Sequence, residues 1–280
     1  MAGIISATSF NINGFTDIGK CSLNVAGAFK NSNIGGIVGL AKNSFSIKNN
    51  NKNYNFNIYN NIIYSDTGTT GISNLGGIIA STEGSFTASN VQVSADNACQ
   101  ISSIKETNVG GVIGYARKNL NIDGVIISKN LKFEIKSTNL VGGNFGGFIG
   151  KFDYIEEQTS SRSKITKSYS YLNFDLTNFN GNVNFGGAIA NVQSRKTDLN
   201  ILEISESYFG NDLEFNTFKN MEYNLGGILG YCFGFIGESD TVSGKSISLN
   251  NNIAYGNIIQ KVNSIENVEV YAGGLVGQGT

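Results

Sequence analysis

The sequence contains no histidine, and this absence removes a large class of catalytic and metal-binding sites. Histidine is the commonest general base and a frequent zinc ligand. A serine triad of the usual kind and a histidine-based zinc site are therefore excluded. The Gly-Gly-x-Gly-x-Asp nonapeptides of calcium-binding β-rolls are also missing from the sequence. We predict no metal and no cofactor.

Charge is sparse and balanced along the chain. Twenty basic and 21 acidic residues give a net charge of −1 over 280 residues, so no large single-sign field is available to steer a polyanion. Arginine, the residue best suited to phosphate and base recognition, occurs only as Arg117, Arg162 and Arg195. These features argue against a nucleic-acid partner.

Long apolar runs and a cysteine framework are lacking as well. No run approaches the ~20 apolar residues needed to span a bilayer, so we predict no membrane span. Cys21, Cys99 and Cys232 are odd in number and lie far apart in no metal-like spacing. We interpret them as small buried hydrophobic residues.

The chain is instead rich in one repeated glycine phrase, first seen as Asn33-Ile34-Gly35-Gly36-Ile37-Val38-Gly39. A period of roughly 20–50 residues indicates a solenoid, propeller or array. The copies run through the sequence without a gap, and we predict one repeat domain over residues 1–280, a segment of a longer protein or fibre. The leading glycines of the seven copies are Gly35, Gly76, Gly110, Gly146, Gly186, Gly226 and Gly273.

Two further alternating segments follow each phrase, most clearly 120–127 and 131–135. Period-two alternation with β-branched and aromatic residues indicates strands, and no segment shows the apolar spacing of a helix. About three strands per repeat predict an all-β, right-handed parallel β-helix of seven to eight coils. A propeller is the alternative, but its blade needs four strands.

The phrase also predicts which residues hold the turns and stack between coils. Glycine pairs are expected to turn a corner at positive φ, and asparagines at equivalent positions are expected to form a ladder of side-chain amides. The predicted asparagines are Asn33, Asn74, Asn108, Asn144, Asn184 and Asn224, and the predicted glycines are Gly35, Gly36, Gly76, Gly77, Gly110, Gly111, Gly146, Gly147, Gly186, Gly187, Gly226, Gly227, Gly273 and Gly274.

Two other positions of the phrase have consistent chemistry. The fifth position, counted from the leading glycine, is always glycine or alanine, as in Gly39 and Ala80, which predicts close packing inside the coil. The two residues before it, such as Ile37 and Val38, are both apolar in most copies. Because neighbouring strand residues face opposite ways, one of these rows should point outward or lie under a loop.

The Gly-Gly-Ile-Val-Gly copies resemble the GLUG motif, a glycine-rich repeat of large secreted and cell-surface proteins that include bacterial adhesins. The resemblance extends over nearly the whole chain. Gly186-Gly187-Ala188-Ile189 is similar also to the repeat of chlamydial polymorphic outer-membrane proteins. Both resemblances imply an adhesive or stalk role at the cell surface or outside the cell, and neither implies a binding residue.

The sequence thus favours a non-enzymatic structural or adhesive module with a protein or glycan partner. One alternative is a carbohydrate-active β-helix enzyme that uses Asp153 and Glu156 or Glu157, beside Lys151, as acid and base. A second is an intracellular filament or scaffold component, for which the unpaired cysteines and the absence of Asn-x-Ser/Thr sites argue.

The two ends of the sequence carry repeat strands rather than caps, at 2–7 and 271–277. An uncapped parallel coil leaves unpaired backbone donors and acceptors. We expect either continuation in a longer polypeptide or head-to-tail stacking of copies into a filament.

Overall fold

The computed structural model describes residues 2–5, 9–13, 17–49, 56–137, 141–154, 162–194, 201–233, 247–261 and 266–279. Over these residues the chain forms 34 β-strands and no helix. It accordingly contains, in the part described, no helix of the length and hydrophobicity that a membrane crossing requires.

The strands form four sheets, and the strand pairs within them are parallel. Sheet A contains, in spatial order, β1 (Ala2–Ile5), β5 (Val38–Ala41), β9 (Ile79–Thr82), β14 (Ile113–Ala116), β19 (Ile149–Tyr154), β24 (Ile189–Ser194), β29 (Leu229–Phe233) and β34 (Val276–Gly279). Sheet B contains β2 (Ser9–Asn13), β6 (Ser44–Lys48), β10 (Phe86–Ser89), β15 (Leu120–Asp123), β20 (Ser163–Thr166), β25 (Leu202–Ser205) and β30 (Ile247–Asn250).

Sheet C divides into two ladders that meet at one long strand, β7 (Phe56–Asp66), which also pairs with β3 (Asp17–Gly27). The first ladder contains β11 (Val91–Ser94), β16 (Ile126–Ile127), β21 (Tyr169–Ser170), β26 (Tyr208–Phe209) and β31 (Ile253–Ala254). The second contains β12 (Cys99–Ser103), β17 (Lys132–Ser137), β22 (Asn173–Phe179), β27 (Leu213–Phe215) and β32 (Ile258–Gln260).

Sheet D holds the asparagine end of each phrase. It contains β4 (Ser32–Gly35), β8 (Ile72–Gly76), β13 (Glu106–Gly110), β18 (Gly143–Gly146), β23 (Val183–Gly186), β28 (Glu222–Gly226) and β33 (Glu269–Gly273). Each repeat therefore visits sheets D, A, B and C in turn and pairs with the equivalent strands of its neighbours. This repeated parallel arrangement fits a β-helix or β-solenoid.

The predicted count of about three strands per repeat is wrong, because two of the three segments contain a corner. The phrase bends after its glycine pair and divides between sheets D and A. Segment 120–127 bends at Gly124 and divides into β15 and β16. Each of the five repeats from β8 to β32 therefore contributes five short strands to four sheets.

The predicted positive φ of the phrase glycines is also wrong. The left-handed residues of the described chain lie mainly at the corner between sheets B and C, where Asn90, Gly124, Lys167, Glu206 and Asn251 have φ between 49° and 63°. Only one of these five is glycine, so the glycine pattern does not mark this corner. Asparagine tolerates such a φ better than other non-glycine residues.

The phrase glycines are required because backbones approach closely. A Cβ on Gly35 would lie 1.9 Å from the carbonyl oxygen of Val38, and a Cβ on Gly36 would lie 2.2 Å from the carbonyl oxygen of Gly77 in the next repeat. The small fifth position has the same cause, since a Cβ on Gly114 would lie 2.6 Å from the amide nitrogen of Leu75. In the stacked repeats no side chain fits at the glycine pair, and at the fifth position none larger than the methyl group of Ala80 and Ala190 occurs.

Both apolar positions after the glycine pair are buried in the repeats before the last described one, which rules out the outward-pointing alternative there. Ile78 and Ile79 are fully buried, for example. The chain turns from sheet D to sheet A here, so strict alternation is lost: the amides of Val112 and Ile113 both donate to the carbonyl oxygen of Phe148 at 2.9 Å. Among the described residues, the exposed member of these rows is Leu275, in the last repeat.

The interior is packed by rows of apolar side chains that repeat along the four sheets. In sheet B the rings of Phe10, Phe45 and Phe86 stack at centroid distances of 5.8 and 5.9 Å. Where a row changes size, the facing row compensates. The large Phe148 follows Gly147, which lies beside the small side chain of Ser170. In the next repeat the small Ala188 follows Gly187, which lies beside the large side chain of Phe209.

Candidate functional site

The six predicted asparagines lie at equivalent positions of sheet D, in register from one strand to the next. Each side chain from Asn74 onward donates from Nδ2 to the Oδ1 of the asparagine before it. The five distances are 3.0 Å to Asn33, 2.8 Å to Asn74, 2.6 Å to Asn108, 2.8 Å to Asn144 and 2.9 Å to Asn184. We call this row the asparagine column.

Asn144 is the most highly connected member of the asparagine column. Its Nδ2 donates to Asn108, and its Oδ1 accepts from Asn184 and also from Asn191 of sheet A at 3.0 Å. The residue is only 3% exposed. Because these amides bond to one another, the asparagine column links the strands of sheet D rather than presenting a free polar row, and Asn191 connects it to sheet A at Asn144.

The asparagine column ends where Tyr271 lies in register with Asn224. The Tyr271 hydroxyl donates to Glu269 instead, at 3.0 Å. The Oδ1 atom of Asn224 is buried and has no hydrogen-bond partner among the described residues. One buried acceptor is therefore left at this end of the row.

Replacing Asn144 by alanine should lower the free energy of unfolding by about 1–3 kcal/mol, because it leaves buried amide groups of its neighbours unpaired. Urea denaturation followed by circular dichroism measures the change. Asn121→Ala, at an exposed position of sheet B, is the control and should change stability by less than about 0.5 kcal/mol. Equal stability of the two variants would count against a structural asparagine column.

The residues of the enzyme alternative are only partly within the described chain. Glu156 and Glu157 lie outside it. Asp153 is buried on β19 and its Oδ2 accepts a hydrogen bond from the Tyr115 hydroxyl at 3.1 Å. Lys151 lies 3.3 Å from Glu106 in a partly exposed ion pair. The described residues thus bring together a tyrosine and one carboxylate here.

A buried ion pair that the repeat pattern does not predict lies near the first phrase. Lys105 Nζ contacts Asp66 Oδ2 at 2.5 Å, and both side chains are almost fully buried. The ammonium group also donates to the carbonyl oxygens of Phe29 and Lys30, at 2.7 and 3.3 Å. The pair therefore ties the segment that precedes β4 to sheets C and D.

Asp66 has further donors around it, which keep its carboxylate ionised. Burial opposes ionisation, but hydrogen bonds from Lys105, from the Tyr64 hydroxyl at 2.6 Å and from the amides of Gly68 and Phe29 outweigh it. The pKa of Asp66 falls to about 2. Burial, with the hydrogen bond to Asp66, raises the pKa of Tyr64 to about 12.

Two of the three cysteines are free and buried, as the sequence predicts. Burial raises the pKa of the Cys99 thiol to about 11 and that of the Cys232 thiol to about 12. Both are therefore unreactive thiols at neutral pH. The side chain of Cys21 lies outside the described residues. No group of three potential metal ligands occurs in the described ranges.

Comparison of the chain with protein-family models, with curated proteins and with solved structures finds no match.

Proposed function

We propose that this chain is a non-enzymatic structural and adhesive module, built as a right-handed parallel β-helix of seven to eight coils. At a strand spacing of about 4.8 Å, such a helix would be a rod on the order of 35 Å long. The observation that carries the proposal is the run of four continuous parallel sheets, with the asparagine column along one side. On the basis of its resemblance to GLUG repeats, we place the module at the cell surface in this proposal.

Exposed apolar side chains in the last described repeat support the proposal that further β-structure packs there along the rod axis. Val270, Leu275 and Ile258 are between 42 and 54% exposed, whereas the equivalent residues of the preceding repeat, Tyr223, Ile228 and Leu213, are buried. We propose that a second copy, or more of the same polypeptide, covers these side chains. The intracellular filament alternative would use the same contact. Light scattering over a concentration series measures head-to-tail association.

Adhesion is tested with beads coated with the folded chain and placed on a layer of epithelial cells under flow. We expect the beads to be retained, since a rigid rod presents a surface without needing a catalytic site. Beads coated with the urea-unfolded, carboxymethylated chain are the control for non-specific adsorption. Retention no better than this control would refute an adhesive role, and release of sugar from a glycan panel that is abolished by Asp153→Asn would favour the enzyme.

A further inference from the structure

Four tyrosines form a cluster on the outside of sheet C, at the end of the first ladder. Tyr169 and Tyr208 lie at neighbouring positions of β21 and β26, and Tyr171 and Tyr255 follow β21 and β31. The Tyr208 ring is central, with its centroid 4.9 Å from that of Tyr255, 5.4 Å from Tyr171 and 6.4 Å from Tyr169. We call this group the tyrosine platform.

Gly210 makes room for the rings. A Cβ on this residue would lie 2.8 Å from the ring of Tyr255 and 3.1 Å from the ring of Tyr208. Because Gly210 has no side chain, Tyr255 lies over the backbone of the preceding repeat and reaches Tyr208. The tyrosine platform is therefore a packed arrangement, not four independent surface residues.

The rings remain open to solvent. Tyr169 is 41% and Tyr255 57% exposed, while Tyr171 and Tyr208 are partly buried. Burial, with the neighbouring Tyr255 and Tyr169, raises the pKa of Tyr171. Its hydroxyl is therefore neutral at physiological pH and can donate a hydrogen bond.

Polar groups flank the tyrosine platform on both sides. On one side Asp212 Oδ1 accepts from the backbone and side-chain amides of Asn257, at 2.8 and 3.1 Å, and these groups are near the surface. On the other side exposed Lys167 and Glu206 lie 4.0 Å apart. The carboxylates of Asp212 and Glu206 outnumber the ammonium group of Lys167, which disfavours an anionic ligand. Glu206 lies near Lys167, and Asp212 already accepts hydrogen bonds from Asn257, so these carboxylates attract a cationic ligand only weakly.

The size of the tyrosine platform argues against a protein as its ligand. The exposed parts of four tyrosines total on the order of 400 Å² at most, given that a whole aromatic side chain buries ~150–250 Å². A stable protein–protein interface needs about 800 Å² from each partner. The tyrosine platform is therefore suited to a ligand that contacts a smaller area than a protein partner does.

We propose that the tyrosine platform binds a neutral glycan chain. The face of an aromatic ring is electron-rich, so it attracts the weakly positive C–H groups on the flat side of a sugar ring. The tyrosine hydroxyls, Asp212 and Asn257 can exchange hydrogen bonds with sugar hydroxyls. This inference rests on the proposed adhesive function and names the chemistry that the adhesive surface recognises.

The test measures binding of the folded chain to five neutral polysaccharides, namely cellulose, chitin, mannan, galactan and dextran. Affinity electrophoresis and pull-down identify which of the five polysaccharides bind. Calorimetry with oligosaccharide fragments of those that bind then gives the affinities. We expect at least one to bind the native chain, and the double variant Tyr169→Ala/Tyr255→Ala to bind at least tenfold more weakly. Gly210→Ala should also weaken binding, because it displaces the rings but removes none of them.

Tyr231→Ala is the matched control, since Tyr231 is a partly exposed tyrosine of sheet A that stacks on Phe233. It should bind like the native chain. The inference is overturned if none of the five polysaccharides binds, or if the double variant binds as well as the native chain. It is overturned also if the double variant changes the association state of the chain while leaving glycan binding intact.

The bead assay separates failure of this inference from failure of the proposed function. Beads coated with the double variant that adhere as well as native beads would refute the tyrosine platform and leave the adhesive role standing. Native beads that do not adhere, although the chain binds a glycan through the tyrosine platform, would refute adhesion alone.

Discussion

Gly147→Ala should destabilise the protein by at least about 3 kcal/mol, the largest effect that we expect from a single methyl group. The added Cβ would lie 1.9 Å from the carbonyl oxygen of Gly187 in the next repeat and 2.6 Å from the Ser170 hydroxyl. A backbone oxygen cannot rotate away as a long side chain can. The two repeats would have to separate, which breaks the parallel hydrogen bonds on both sides of the corner.

Gly274→Ala is the control for this prediction. It changes the same position of the phrase in the last described repeat, where a Cβ would meet no atom within 4 Å. We expect a change of less than about 1 kcal/mol, because the added methyl group meets no atom and lowers the entropy of the unfolded chain. Urea midpoints of the two variants provide the comparison, and similar midpoints would show that close approach does not explain the glycine pairs.

Lys105→Met should have the second large effect, a loss of about 3–5 kcal/mol, because it leaves the Asp66 carboxylate buried without its counter-ion. The side chain of methionine is similar in length, so lost packing contributes little. Lys151→Met is the control, since the Lys151 ion pair with Glu106 is partly exposed. Such pairs contribute at most about 1 kcal/mol. Thermal unfolding of the two variants measures the difference.

The pH dependence of stability gives a second measurement of the same ion pair. Asp66 has a folded-state pKa of about 2, below its ordinary value of 3.8. Its contribution is therefore fully present above about pH 4 and is lost as the pH falls toward 2. We expect this acid-dependent loss to be smaller in Lys105→Met, because the hydrogen bond from Lys105 is the main one that lowers the pKa. An unchanged acid profile would contradict a role for the pair.

The repeated parallel architecture and the registration of the asparagine column are predictable from the amino-acid pattern alone. A phrase that recurs every 34 to 47 residues must bury its apolar face against its own copies, and identical residues then meet at identical positions. Period-two alternation also located strands such as β15 and β17 correctly. These features are predictable because each depends on local pattern and on the identity of the copies.

The corners, the buried ion pair and the tyrosine platform depend instead on how the repeats pack in three dimensions. Alternation does not show where a strand bends, so the pattern predicts three strands where the structure has five. It also predicts left-handed turns at glycines that are required for close backbone approach. Lys105 and Asp66 belong to neighbouring repeats, as do Tyr208 and Tyr255. Which side chains of different repeats meet depends on the length of every intervening turn, and these lengths vary from copy to copy. A contact between residues at non-equivalent positions of two repeats therefore cannot be predicted from the repeat period.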